Sequence, residues 1–293
     1  MEEQAETVET QDDATDGCTV EGLVGLRAAI LLMVGGWGIG FGTAGLVSPF
    51  LGMQGTTAVG NTVGLCLMTW LGVRFSGRPA IEVLSLRPFN PRLIPTMVLM
   101  AFSGSLLVAE VGNLTEEVLP VPDDLRRMFL GILQAEGLGQ FFQRAALLSL
   151  MAPVTEELMF RGVIMFGLIR TYGGSRGVVL SSVCFGVFHL IPWQAAGATL
   201  IGILLGVMVY RTGSLFAGMA MHAIWNFLPL LLVSSLQNVT PEGYGFHSGE
   251  ISHLPVPLLM LSGGLFYYAF RRFWIMSEAS KQLVEGVADV ESC

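Results

Sequence analysis

The strongest constraint on this chain is the absence of charge over long stretches. No Asp, Glu, Lys or Arg occurs from Ala28 to Val73, from Gly177 to Tyr210, or from Thr212 to Pro241. A membrane span needs about 20 mostly apolar residues. The first run therefore holds two spans joined by a tight turn near Ser48 to Gly55, and the second holds two joined near Pro192-Trp193. Composition agrees: 52% of residues are hydrophobic and 13% charged, against about a quarter charged in soluble domains, and mean hydropathy is +0.64. The pattern predicts an all-α, polytopic membrane protein of about eight transmembrane helices. They lie near 28–47, 57–73, 93–111, 145–169, 177–191, 195–210, 214–236 and 254–270. Pro153 should kink the long fourth span or free a backbone carbonyl one turn back.

The organisation expected is an acidic, solvated tail over 1–20, a transmembrane helical domain over 21–275 and a second tail over 276–293. Residues 1–17 contain seven Asp or Glu and no basic residue, a composition that stays unfolded. No charged-then-apolar signal peptide opens the chain, so the first span is read as an uncleaved insertion signal. Arg27, Arg74, Arg78, Arg87, Arg92, Arg170, Arg176, Arg211, Arg271, Arg272 and Lys281 fall at one end of the spans. Only Arg126, Arg127 and Arg144 fall at the other. The excess of basic residues marks the cytoplasmic side, which puts both termini in the cytoplasm. The segment from Val121 to Gly137 has an acidic start and an apolar face, fitting either an amphipathic surface helix or a plain loop helix. The formal charge of −8 comes largely from the tails and the outer loop and gives no nucleic-acid footprint. The four cysteines have neither metal nor disulfide spacing. Gly36/Gly40 and Gly202/Gly206 have the small-x-x-x-small spacing of close helix contacts, which in so Gly-rich a chain is most simply ordinary packing.

Against this apolar background, Glu156, Glu157 and Arg161 stand inside the fourth span. Each charge costs about 2.5–3.5 kcal/mol at the centre of a helix on insertion scales, so the cluster is read as a functional site. Its partners are Phe185-x-x-x-His189 and His222-x-x-x-Asn226 in later spans. Measured from the flanking arginines at about 1.5 Å per residue, Glu156, His189, His222 and Asn226 share a depth of roughly 16–23 Å. That convergence argues for one site, and access is expected from the cytoplasmic half. Glu157 and Arg161 stand four residues apart in the favourable order for an ion pair. Glu156, about 100° round the helix, is left for chemistry. It can deprotonate a water that His189 holds, while His222 and Asn226 donate to a developing oxyanion. The same residues admit a zinc site on Glu156, His189 and His222 with an open position for water, although H-E-x-x-H is absent. Taken singly, His189 and His222 would be core histidines, Asn226 helix glue and Phe185 core. A proton-coupled transporter also uses intramembrane Glu and His, but no paired broken helices of the transporter kind occur.

Together the three segments resemble the motifs of the CAAX prenyl protease and bacteriocin-processing family (CPBP, or Abi), a family of intramembrane proteases. E-E-x-x-x-R is matched by Glu156, Glu157 and Arg161; F-x-x-x-H by Phe185 and His189; H-x-x-x-N by His222 and Asn226. The match covers roughly residues 145–230. The resemblance implies a membrane fold of eight helices and hydrolysis of a peptide bond in or near the bilayer. Glu156, Glu157, Arg161, His189, His222 and Asn226 would form the catalytic set, with Phe185 packing the site or the substrate. The implied partners are the bilayer and a membrane-associated, in some members lipidated, peptide: a CAAX tail, a leader or a sorting signal. Zinc is the one cofactor the family raises, and a glutamate-activated water is its alternative. A non-proteolytic immunity or scaffold protein on the same fold is the rival reading.

Overall fold

The structure, a computed structural model, describes residues 25–236, 240–244 and 251–277. The tail expected over 1–20, and nearly all of the one over 276–293, lie outside these. Everything described is helix, turn or extended connection, and no strand occurs among the described residues. Among the described residues, five helices are long and apolar enough to cross a membrane: Gly25–Val47, Gly55–Phe75, Pro91–Val118, Pro192–Thr212 and Leu215–Ser235. The chain is an integral membrane protein with an all-α fold.

Helices α1 (Gly25–Val47) and α2 (Met53–Phe75) form the first hairpin, turning where expected. After the short α3 (Ala80–Val83), α4 (Ile94–Val118) returns across the molecule. Helix α5 (Asp123–Leu133) follows, with no buried residue of its own. The expected fourth span is part of one continuous rod over 138–172: α6 (Leu138–Arg144), a π-turn segment, α7 (Ala152–Glu157), a second π-turn segment and α8 (Met165–Tyr172). Helices α9 (Gly174–Phe188) and α10 (Pro192–Thr212) form the next hairpin, and α9 is only 15 residues long. Helices α11 (Leu215–Ser235) and α12 (Val256–Met276) complete the bundle, α12 lying against α4.

Two large apolar clusters, with a smaller third around Leu106, Leu232, Tyr244 and Leu254, hold the described elements together. One is centred on Met159, Phe160, Leu168 and Phe185 between the rod, α2 and α9. The other joins Met97, Met100, Leu205, Met208, Trp225 and Phe273 between α4, α10, α11 and α12. Small residues allow the closest approaches. Gly36 and Gly40 receive Gly60 and Gly64 across the α1–α2 hairpin, and Gly202 and Gly206 meet Ser182 and Val178 of α9. The spacing noted in the sequence thus marks real helix contacts.

The two ends of the bundle differ. At the basic end, Arg211 donates to the Trp274 and Ser277 carbonyls, and Leu215 N–H donates to the Ser85 carbonyl. At the opposite end, Trp193 Nε1 donates to the Leu119 carbonyl and Ser234 Oγ donates to the Leu133 carbonyl. There His253 bridges Glu110 at 2.7 Å and Glu117 at 3.2 Å, while Leu254 N–H donates to Glu110. These contacts strap the segment before α12 onto α4.

Two predictions follow from this packing. An added Cβ at Gly60 would stand 2.6 Å from the Gly40 carbonyl oxygen, whereas at Gly38 it would meet nothing within 4 Å. Gly60→Ala should cost about 1–3 kcal/mol and lower the melting temperature in detergent, and Gly38→Ala should not. The second concerns pH. Hydrogen bonds to Glu110 and then Glu117 raise the His253 pKa above its ordinary value. A raised folded-state pKa gives stability that is complete below the unfolded value of about 6.5 and lost as pH climbs through the folded one. The melting-temperature gap between wild type and His253→Gln should therefore be widest near about pH 5.5 and close by about pH 9.

Candidate functional site

Proline explains how the rod presents its carboxylates. In the π-turn before α7 the Ala152 N–H donates to the Leu147 carbonyl, five residues back. The next bond in that register would run from residue 153 to Leu148, but Pro153 has no N–H. The freed Leu148 carbonyl instead accepts from Asn226 Nδ2 at 3.0 Å. This is the loose carbonyl the sequence led us to expect, and the third motif satisfies it.

Next in the rod, Glu157 is fully buried. Its Oε1 accepts from Arg161 Nη1 at 2.6 Å and from His222 Nδ1 at 2.9 Å. The expected i,i+4 pair is present, and both its side chains are wholly removed from solvent. Arg161 also donates to the Gly202 carbonyl at 3.3 Å, and its guanidinium lies over the Phe185 ring, 4.2 Å from the centroid. Removing two charges from water is costly, and only good geometry with further hydrogen bonds repays it. The carbonyl and the aromatic face supply part of that. Phe185 is a hub rather than a bystander. Its ring meets His189 edge-on at 4.9 Å and His222 at 5.7 Å.

Glu156 turns the other way and lines a cavity with 16% of its side chain exposed. His222 Nε2 stands 3.7 Å from Glu156 Oε2, beyond a direct hydrogen bond but suited to a shared water. His189 caps α9, and its Nδ1 lies 2.8 Å from the Phe185 carbonyl, so Nδ1–H donates there and Nε2 is left for the cavity. The turn after it is tight: Leu190 has φ 58°, a left-handed backbone that a branched side chain adopts only where its surroundings impose it. Glu156, Phe185, His189, His222 and Asn226 all line this one cavity of about 640 Å³. Glu157 and Arg161 lie behind its wall.

Free Nε2 atoms with Nδ1 already engaged are what histidines offer a metal. Among the described residues, however, no three His, Cys, Asp or Glu side chains are grouped to hold an ion. Zinc does not fit this donor set as placed.

Several cavity residues carry no motif and were not singled out in the sequence: Trp37, Thr57, Asn61, Trp193 and Gln194. A second apolar cavity of about 260 Å³ also reaches Glu156, between α2, α5 and the rod. Met128 and Ile132 of α5 line it, so that segment covers the site and is more than a loop helix. The cavity linings draw on the start of α2, the end of α4, α5 and the α9–α10 turn, all at the end of the bundle opposite Arg74, Arg170 and Arg211.

Losing one partner of a buried charge pair costs about 3–5 kcal/mol. Arg161→Ala should accordingly lower the melting temperature and yield of purified protein, not only its activity. The double change Arg161→Met with Glu157→Gln should recover part of that loss, because no unpaired charge stays buried.

Comparison with known proteins places part of the chain beside a described family. Residues 139–228 fit the family described as Rce1-like: Type II CAAX prenyl endopeptidase Rce1-like. No curated protein and no solved structure matches. The matched stretch covers less than a third of the 293 residues, yet it holds all three motifs and both cavity-facing histidines. Over this core the chain is similar to the Rce1-like type II CAAX prenyl endopeptidases, the family its motifs resemble.

Proposed function

We propose that this protein is an intramembrane endopeptidase that hydrolyses a peptide bond of a membrane-associated substrate with a glutamate-activated water. The observation that carries the reading is a cavity-facing carboxylate, Glu156, with the His222 imidazole 3.7 Å away and His189 and Asn226 on the same wall. Glu156 takes a proton from a water whose second hydrogen is accepted by His189 Nε2. The hydroxide adds to the scissile carbonyl. Asn226 spends one N–H on Leu148 and has a second to donate to the oxyanion. Collapse of the intermediate breaks the C–N bond, and the proton from Glu156 passes to the leaving nitrogen. His222, its Nδ1 held by Glu157, gives that proton a second resting place and, when it carries both protons, a further donor to the oxyanion.

The bundle reads as eight membrane crossings, the five long helices joined by the rod over 138–172, α9 and α12. Residues 21–275 then form the membrane domain between two cytoplasmic tails. In that orientation the cavities face the non-cytoplasmic side. Leaders and sorting signals presented from that side are then the first substrates to try, and cytoplasmic CAAX tails come second.

Glu156→Gln and His189→Ala should each remove peptidase activity by at least about 100-fold while keeping the wild-type melting temperature; cleavage at the wild-type rate by either would sink the assignment. Cys18 and Cys293 should resist a membrane-impermeant thiol reagent in intact cells and react once the membrane is opened. Ready labelling of either in intact cells would invert the orientation and move CAAX tails to the front.

A further inference from the structure

The two cavities adjoin. Thr57 and Asn61 of α2 and Leu148, Ala152 and Glu156 of the rod line both of them, so these residues form the neck between the larger cavity and the smaller. Apart from Glu156, the polar side chains of the neck come from α2. Gly60 and Gly64 press that helix onto α1, while Thr57 and Asn61, four residues apart, share the side that meets the rod. Counted from Arg74 at the basic end of α2, Asn61 lies about 20 Å along the helix, within the depth range of Glu156, His189, His222 and Asn226. An asparagine inside a span ordinarily hydrogen-bonds to a neighbouring helix, as Asn226 does to the Leu148 carbonyl. Asn61 makes no such bond among the described residues. A carboxamide at that depth, facing the cavity of Glu156 and holding no other element, is left for what enters.

We propose that Asn61 positions the substrate by its main chain, its carboxamide pairing with one residue of an extended strand beside the bond that Glu156 attacks. The inference goes beyond the three motifs and rests on the peptidase reading for the position of that bond. An extended peptide drawn into an apolar cavity loses water from its N–H and C=O groups, and a buried donor or acceptor left unmade is costly. A residue in extended conformation turns its N–H and C=O to the same side. A side-chain amide has donors on nitrogen and an acceptor on oxygen, so one carboxamide can accept from that N–H and donate to that C=O. The same main-chain pairing holds a strand added to a sheet edge. The rod offers no such partner at the neck. Its Leu148 carbonyl is taken by Asn226, and its Ala152 N–H is taken by the Leu147 carbonyl. Recognition of this kind ignores side chains and demands backbone: the paired residue must be extended and must keep its N–H, so proline or an N-methylated residue is refused there.

The test uses full-length protein in detergent and a fluorescein-labelled, S-farnesylated peptide ending Cys-Val-Ile-Met. Each peptide bond, from the one before Cys to the last, is replaced in turn by an ester, which removes one N–H at little change in shape. Binding is measured to the Glu156→Gln protein, which does not turn the peptide over. One of the esters should bind about five- to tenfold more weakly than the all-amide peptide. Adding Asn61→Leu should weaken the all-amide peptide by at least as much, and that ester should then cost nothing further; Asn61→Gln should recover part of the loss. Asn61→Leu should keep the wild-type melting temperature, and in the otherwise wild-type enzyme it should raise KM at least about fivefold with kcat within about twofold. Ester costs that are the same with and without Asn61 would overturn the inference, as would a lowered melting temperature or a fall in kcat at unchanged KM. So would a peptide that fails to bind at all, because a main-chain reader does not choose by side chain. The two readings fail separately. Asn61-dependent binding without cleavage by wild type sinks the peptidase and keeps the clamp, whereas cleavage that Asn61→Leu leaves untouched does the reverse.

Discussion

One carboxylate oxygen organises this molecule. Glu157 Oε1 accepts from Arg161 and from His222, so the first and third motifs meet on a single atom in a region that excludes water. Arg161 extends the linkage to the second motif through the Phe185 ring and to α10 through the Gly202 carbonyl. An ion pair at that depth gains little against an apolar replacement of the same shape. What it supplies is position. His222 cannot rotate while Nδ1 is held, and its Nε2 is thereby aimed at Glu156. Gly218 and Gly202 belong to the same arrangement. A side chain at Gly218 would begin 2.9 Å from Glu157 Oε2, and one at Gly202 would crowd the guanidinium.

The two adjacent glutamates divide the work by the side of the rod they face. Glu157 is sealed and structural in its contacts; Glu156 is partly open and faces the cavity. A helix turns about 100° per residue, which separates a packing role from a chemical one in consecutive positions. The histidines repeat the scheme. Each has Nδ1 tied down, one to a backbone carbonyl and one to a carboxylate, leaving the other nitrogen toward the cavity.

Much of this was legible in the sequence. The α1–α2 and α9–α10 hairpins, the Glu157–Arg161 pair and the meeting of the three motifs around one cavity follow from charge-free runs and helical spacing. What escaped notice has physical reasons. The π-turns on either side of α7 leave no periodic signature, because their apolar residues read equally well at a period of 3.6. Thr57 and Asn61 are unremarkable one at a time and acquire meaning only from the cavity they line with Glu156. Depth counted from the basic end, roughly 16–23 Å in a hydrocarbon core of about 30 Å, already lies past the middle, in keeping with cavity linings gathered at the opposite end.

Pro153 has a consequence out of proportion to its chemistry. It holds no charge and reacts with nothing, yet the hydrogen it lacks decides who may bond to Leu148. With any other residue at 153, a backbone N–H would compete with Asn226 for that oxygen, and the amide could swing free of the rod. Part of the site's geometry is therefore encoded as an omission. A search for conserved polar groups would pass over it, and a designer copying only the reactive side chains onto another bundle would lose the alignment without knowing why.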